Sequence, residues 1–163
     1  MGLTNFPNGI EAGSLYINGT PVQAGWRIAT KTATFAGGTL NARGDIDGTG
    51  NPATLFTVTG TVMAVVFGHC TTNLDGATGT VEVGVTGNTA AIIAQTTATD
   101  IDAGEVWRDT GPALGVELLN DPQVIVGGAD IIETCGTANV TAGVITYYCL
   151  WLPLSSDGDV TAA

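Results

Sequence analysis

Charged side chains are scarce in this sequence. Asp, Glu, Lys and Arg make up 12% of its 163 residues, about half of the ~25% found in an ordinary soluble domain. Cations are scarcer still: Arg27, Lys31, Arg43, Arg108 and the single His69 face 15 acidic residues, for a formal net charge of −11. Nucleic-acid binding draws on Lys and Arg to neutralise phosphates and release counterions, and an anionic membrane surface repels a chain of this sign. DNA, RNA and acidic lipid are therefore not expected as direct partners. Low charge has a second meaning, because interface cores are depleted of charged residues.

Long hydrophobic runs are missing too. The longest, Val62 to Phe67, is far short of the ~20 residues that span a bilayer. The opening MGLTNFPNGI has neither a basic n-region nor an apolar core, so Sec export is not indicated. A myristoylation signal would need Ser or Thr where Phe6 stands. Cysteines number three, Cys70, Cys135 and Cys149. A hairpin of residues 130–135 and 143–151 around Gly136–Gly143 would place Cys149 about 16 Å from Cys135, too far for a disulfide. Buried free thiols are the expectation.

What is present is β-structure. Thr54–Phe67, Gly79–Thr86, Ala91–Gln95, Thr99–Trp107, Val116–Leu119, Gln123–Val126, Asp130–Cys135 and Gly143–Leu152 are rich in β-branched residues and bounded by Gly, Asn, Asp or Pro. No long stretch holds a 3.6-residue period. The fold class expected is all-β, an antiparallel β-sandwich of the jelly-roll kind, with Gly60 marking a bulge where a strand bends between sheets. Residues 1–50 read as an extended N-terminal arm and hairpin, and 51–163 as the sandwich. The hairpin would join Ser14–Ile17 to Pro21–Thr34 through Asn18-Gly19. The Gly-rich stretch 37–52 reads as an extended loop.

Two strands are apolar on both faces. Side chains alternate along a strand, so Val62, Ala64 and Val66 oppose Met63, Val65 and Phe67. Likewise Val144, Tyr148 and Leu150 oppose Ile145, Tyr147, Cys149 and Trp151. A sandwich strand normally has one dry and one wet face. Cover from a neighbouring subunit is expected, with the arm covering part, and Val62, Val66, Met63, Val65, Phe67, Tyr147, Tyr148 and Trp151 are the candidate interface residues.

Chemistry has little support. His69 is the lone imidazole, with no second His and no Cys-x-x-Cys for zinc, and no G-x-S-x-G elbow accompanies it. Asp100 and Asp102, and Asp45 and Asp47, would share strand faces, yet a glycosidase pair also needs a sugar-binding cleft. The Asp45–Asn51 loop alternates oxygen ligands with glycine, but an EF-hand needs Glu at the position held by Phe56. Neither catalytic residues nor cofactor or metal are assigned.

The opening Thr4-Asn5-Phe6-Pro7-Asn8-Gly9-Ile10, the segment Leu55–Phe67, the run Asn88–Ala94, Thr99–Trp107 and the ending Tyr147–Ala163 resemble small virion structural proteins of tailed bacteriophages. The resemblance implies a head decoration (cement) protein: a non-enzymatic, β-rich oligomer, commonly a trimer, on the outer capsid surface. Its partners would be itself and the major capsid protein, and it would be made in the host cytoplasm. Phe6, Pro7 and Ile10 of the arm are the candidate docking residues on the capsid. The alternative is a tail-fibre or receptor-binding module that stacks a host glycan on Trp26 or Trp107, and a carbohydrate-active enzyme using the acidic pairs stands third.

Overall fold

Alternating β-branched and small residues, punctuated by Gly and Asn, fold here as strands. A computed structural model describes the backbone of residues 15–17 and 20–22 and all of residues 25–163. Its strands are β1 (Leu15–Ile17), β2 (Thr20–Val22), β3 (Arg27–Thr34), β4 (Ala53–Thr59), β5 (Val62–Asp75), β6 (Thr80–Val85), β7 (Asn88–Thr97), β8 (Val106–Trp107), β9 (Gln123–Ile125), β10 (Ile131–Gly136), β11 (Ala142–Pro153) and β12 (Asp159–Ala162). The helical structure among the described residues is one 3-10 turn, Ala98–Asp100.

The chain is all-β, with two antiparallel five-stranded sheets. The first runs β12-β4-β10-β6-β7; the second runs β3-β11-β5-β8, with β9 also paired to β5. Their inward side chains form one shared core, which includes Leu55, Phe56, Ile93, Ile131, Trp107 and Tyr147. From β3 onward the chain passes back and forth between the sheets: β3, β5, β8, β9 and β11 lie in the second, and β4, β6, β7, β10 and β12 in the first.

Gly60 makes one of these crossings. The bend expected there is sharper than a bulge: β4 ends at Thr59, β5 begins at Val62, and the two strands lie in different sheets. Gly60 has φ +57°, and an added Cβ would meet Ser155 and Asp157 side-chain oxygens at 2.4 Å. Only glycine fits both demands. Gly68 serves a packing role, because it pairs with Trp107 across the β5–β8 ladder. A side chain at Gly68 would strike Ile145 at 2.8 Å. The indole instead lies edge-on to Tyr147, ring centroids 6.2 Å apart, and its Nε1–H donates to Thr96 Oγ1 at 2.9 Å.

Several sequence expectations are corrected. Residues 130–135 and 143–151 do not form a hairpin: β10 lies in the first sheet and β11 in the second. The thiols Cys70, Cys135 and Cys149 are nonetheless free and buried. Val116–Leu119 is irregular, and Thr99–Trp107 resolves into the 3-10 turn, a turn and the two-residue β8. The expected N-terminal hairpin is shorter than Ser14–Thr34. β1 pairs with β2, whereas Arg27–Thr34 pairs along its whole length with β11. Residues 27–50 therefore belong to the sandwich, not to an arm. The loop after β3 is tied down by backbone bonds between Gly37 N and Val140 O and between Val140 N and Gly44 O, each 2.9 Å. The Asn51 amide clamps β10, accepting from Cys135 N–H and donating to Cys135 C=O, each at 2.8 Å.

Candidate assembly surfaces

The two faces of the second sheet are both apolar but differ in fate. On the inner face Val62, Val66, Tyr147 and Trp151 are buried in the core of their own chain. These four candidate interface residues are corrected accordingly: the opposing sheet is their cover. Met63, Val65, Phe67 and Tyr148 point the other way. Register places them in cross-strand rows: Leu152, Met63 and Val124; Ile28, Leu150 and Val65; Thr30, Tyr148 and Phe67; Thr32, Thr146, His69 and Val106. Phe67 and Tyr148 stack at 5.2 Å with a 16° interplanar angle.

Apart from the His69 imidazole, this outer face is apolar or hydroxylic. Across those rows stands no Asp, Glu, Lys or Arg, although the chain carries 15 acidic residues. Arg27 and Lys31, on the opposite parity of β3, turn elsewhere: the Arg27 guanidinium sits over the Trp151 ring, 4.9 Å from its centroid, and Lys31 Nζ donates to Ala163 O. Exposure is high at the margins, 60% for Ile28 and 57% for Val124. Of the apolar residues in these rows only Val65 is nearly closed off.

A second apolar surface continues from Val124. Between β8 and β9 the chain makes a long excursion in which several polar side chains pair with one another. Arg108 holds Glu117 at 2.8 Å and Asp109 at 2.9 Å, and Asn120 Nδ2 donates to Arg108 O at 2.6 Å. Asn120 also donates to Ile92 O of β7 at 3.4 Å, while Leu114, Val116, Leu118 and Leu119 face solvent, Val116 at 96% exposure. Beside the excursion, Val124, Val126, Ala91, Ile92, Val85 and Ala129 line an open apolar pocket of about 220 Å³. The strand expected at Val116–Leu119 hid this arrangement, because an alternating strand would have placed half of those side chains inside.

One polar cluster is centred on a buried carboxylate. Glu133 on β10 accepts from Tyr147 Oη at 2.6 Å and from Arg43 at 2.9 Å. Burial raises the Glu133 carboxyl above the ordinary range, and the Arg43 charge and Tyr147 hydroxyl pull it back. Burial likewise pushes the Tyr147 phenol well up and the Cys135 and Cys149 thiols up to about 12. The sequence signal for this cluster is an acid at an inward position of Ile131-Ile132-Glu133-Thr134-Cys135. A lone carboxylate there requires an internal partner, and the partner came from the stretch read as an extended loop.

The remaining candidates change in character. Trp107 is fully buried, so a glycan-stacking role would rest on Trp26, which is 47% exposed. Asp100 and Asp102 lie in the 3-10 turn and the turn after it, not on one strand. Asp45 Oδ2 accepts from Asn41 N–H at 2.8 Å, and its carboxylate is occupied as a turn cap. Among the described residues no group of three or more His, Cys, Asp or Glu gathers as a metal site, and no helix is long and apolar enough to cross a membrane. Phe6, Pro7 and Ile10 lie outside the described residues. No family model, curated protein or solved structure matches the chain.

Proposed function

We propose that this chain is a non-enzymatic structural protein whose copies meet through the outer face of the second sheet, and that it decorates a larger protein shell. The observation that carries the reading is the charge-free outer face of β3, β11, β5 and β9. Two copies of a chain with net charge −11 repel one another over most approaches, and like charges brought together in an interface are costly. The face without charges is where that cost is smallest and the apolar gain largest.

Support for the shell itself comes from the resemblance of Leu55–Phe67, Asn88–Ala94 and Tyr147–Ala163 to small structural proteins of tailed-phage virions, which implies a decorating role. The excursion at 114–126 offers such a shell a second apolar contact, distinct from the copy-to-copy face. The strand order supports a finer reading of the fold. β3-β11-β5-β8 against β4-β10-β6-β7 is the order in which a jelly roll winds its eight strands, with β12 added beside β4. Jelly rolls build capsid and lectin domains alike, so the wiring agrees with the proposal without selecting it.

The test is the absolute mass of the purified chain by light scattering over a wide concentration range, followed by co-sedimentation with capsids lacking decoration. A stable oligomer, a trimer in the leading reading, that pellets with capsids supports the proposal. A monomer at high concentration that stays in the supernatant refutes it.

A further inference from the structure

The outer face of the second sheet is small for the task assigned to it. Four strands at about 4.8 Å spacing and eight residues of rise give a patch of roughly 20 by 25 Å. That is roughly 500 Å² in projection, against the ~800 Å² per partner of a standard stable interface. Something else must enlarge the contact.

The chain supplies a candidate of matching chemistry. Residues 1–24 contain one charged side chain, Glu11, and the apolar Leu3, Phe6, Ile10, Leu15, Tyr16, Ile17 and Val22. The segment joins the sandwich at Gly25–Trp26, immediately before β3, the edge strand of the uncharged face. Within it, β1 and β2 pair with each other, and among the described residues neither joins another strand. A two-stranded hairpin is at best marginal in water and is stabilised by an apolar platform. Fourteen residues precede β1, and a stretch of that length can reach at most about 50 Å, enough to cross the uncharged face of a neighbouring copy.

We infer that residues 1–24 of one copy lie across the outer face of the second sheet of a neighbouring copy, over Phe67, Tyr148 and Leu150, and so complete the interface. The inference rests on the assembly reading above, since a segment folded onto the face of its own subunit would close the surface through which copies meet. With Glu11 as its one charged side chain, the segment can keep that carboxylate at the rim and lay its apolar residues on a face free of Asp, Glu, Lys and Arg, so that no ion is buried unpaired, and the exchange ties each subunit to the next.

Two measurements on the whole chain test this. In the first, self-association of the full chain is compared with that of a chain lacking residues 1–24. Loss of the segment should weaken association by about 100-fold or more, the equivalent of leaving one or two large apolar side chains in water. In the second, a spin label is attached at Ser14→Cys; Cys70, Cys135 and Cys149 are buried and so are protected from labelling. Labelled copies are mixed with isotopically enriched, unlabelled ones. Broadening of Phe67 and Tyr148 resonances in the enriched copies places the segment across the subunit boundary. Broadening only when label and enrichment share one copy overturns the inference in favour of self-cover. An oligomer unaffected by the deletion overturns it while leaving the assembly reading intact. A full chain that stays monomeric removes both.

Discussion

The outer faces of the two sheets were built from the same alphabet to opposite ends. On the first sheet Thr57 and Thr59 of β4 pair with Thr161 and Asp159 of β12, and Thr134 of β10 pairs with Glu82 of β6, which accepts from Gln95 at 3.4 Å. That face is threonine with scattered acids, ready for water. On the second sheet the equivalent positions hold Ile28, Leu150, Val65, Phe67, Tyr148 and Met63. Their inner faces are alike, yet only one sheet has an ordinary wet exterior. The lesson is that alternation reveals two apolar faces, and only the opposing sheet decides which of them is core.

The largest effect should come from the core side of this contrast. Glu133→Ala leaves Arg43 and the Tyr147 hydroxyl without their shared carboxylate, and should cost about 3–5 kcal/mol, read by urea unfolding. Adjacent residues on opposite faces then separate folding from assembly. Tyr147→Ala should cost about 3–5 kcal/mol, whereas Tyr148→Ala should cost the isolated subunit under about 1 kcal/mol and act on the oligomer's dissociation constant. Equal losses of subunit stability from the two would abolish the distinction between faces. Placing a charge sharpens the comparison of exteriors: Phe67→Lys should dissociate the oligomer, while Thr57→Lys on the first sheet should shift stability by no more than about 0.5 kcal/mol and leave mass unchanged.

A pH series supplies a smaller effect of defined sign. The Glu133 carboxyl is raised in the fold, so from the ordinary Glu range upward the folded chain holds a proton that the unfolded chain has released. Stability contributed by this group therefore falls as pH rises through that window. Glu133→Gln should flatten the pH dependence of the unfolding free energy there. Smallest is a chemical readout: Cys135 and Cys149, with thiols pushed to about 12, should resist alkylation at pH 8 until the protein unfolds.

Most strands were legible, Val116–Leu119 and β12 excepted, because β-branched residues and Gly, Asn and Pro punctuation act locally. Pairing was less so. The glycines between Cys135 and Val144 look like a hairpin turn, but the chain there crosses between sheets, and a local turn signal carries no information about which sheet receives the next strand. Residues 37–50 looked like loop because glycine is frequent there, and loop they are. Their burial was hidden because Arg43 meets a carboxylate ninety positions away. Of the interface candidates, Met63, Val65, Phe67 and Tyr148 lie on the outer face, and Val62, Val66, Tyr147 and Trp151 do not. Parity sorted the eight into these two sets, and long-range packing chose between the sets.

The pairing of β3 with β11 has a kinetic consequence. Thr32 and Thr146 touch across 114 positions of sequence, so the edge of the second sheet closes only after nearly the whole chain is available. High contact order of this kind slows folding, and until β3 docks, the long β11 presents an open, apolar edge. The sheet whose outer face is proposed to join finished subunits is thus the last to be completed. Association between half-folded chains is the characteristic hazard of such an order of events. Cool, dilute refolding should therefore yield more correctly assembled protein than rapid concentration.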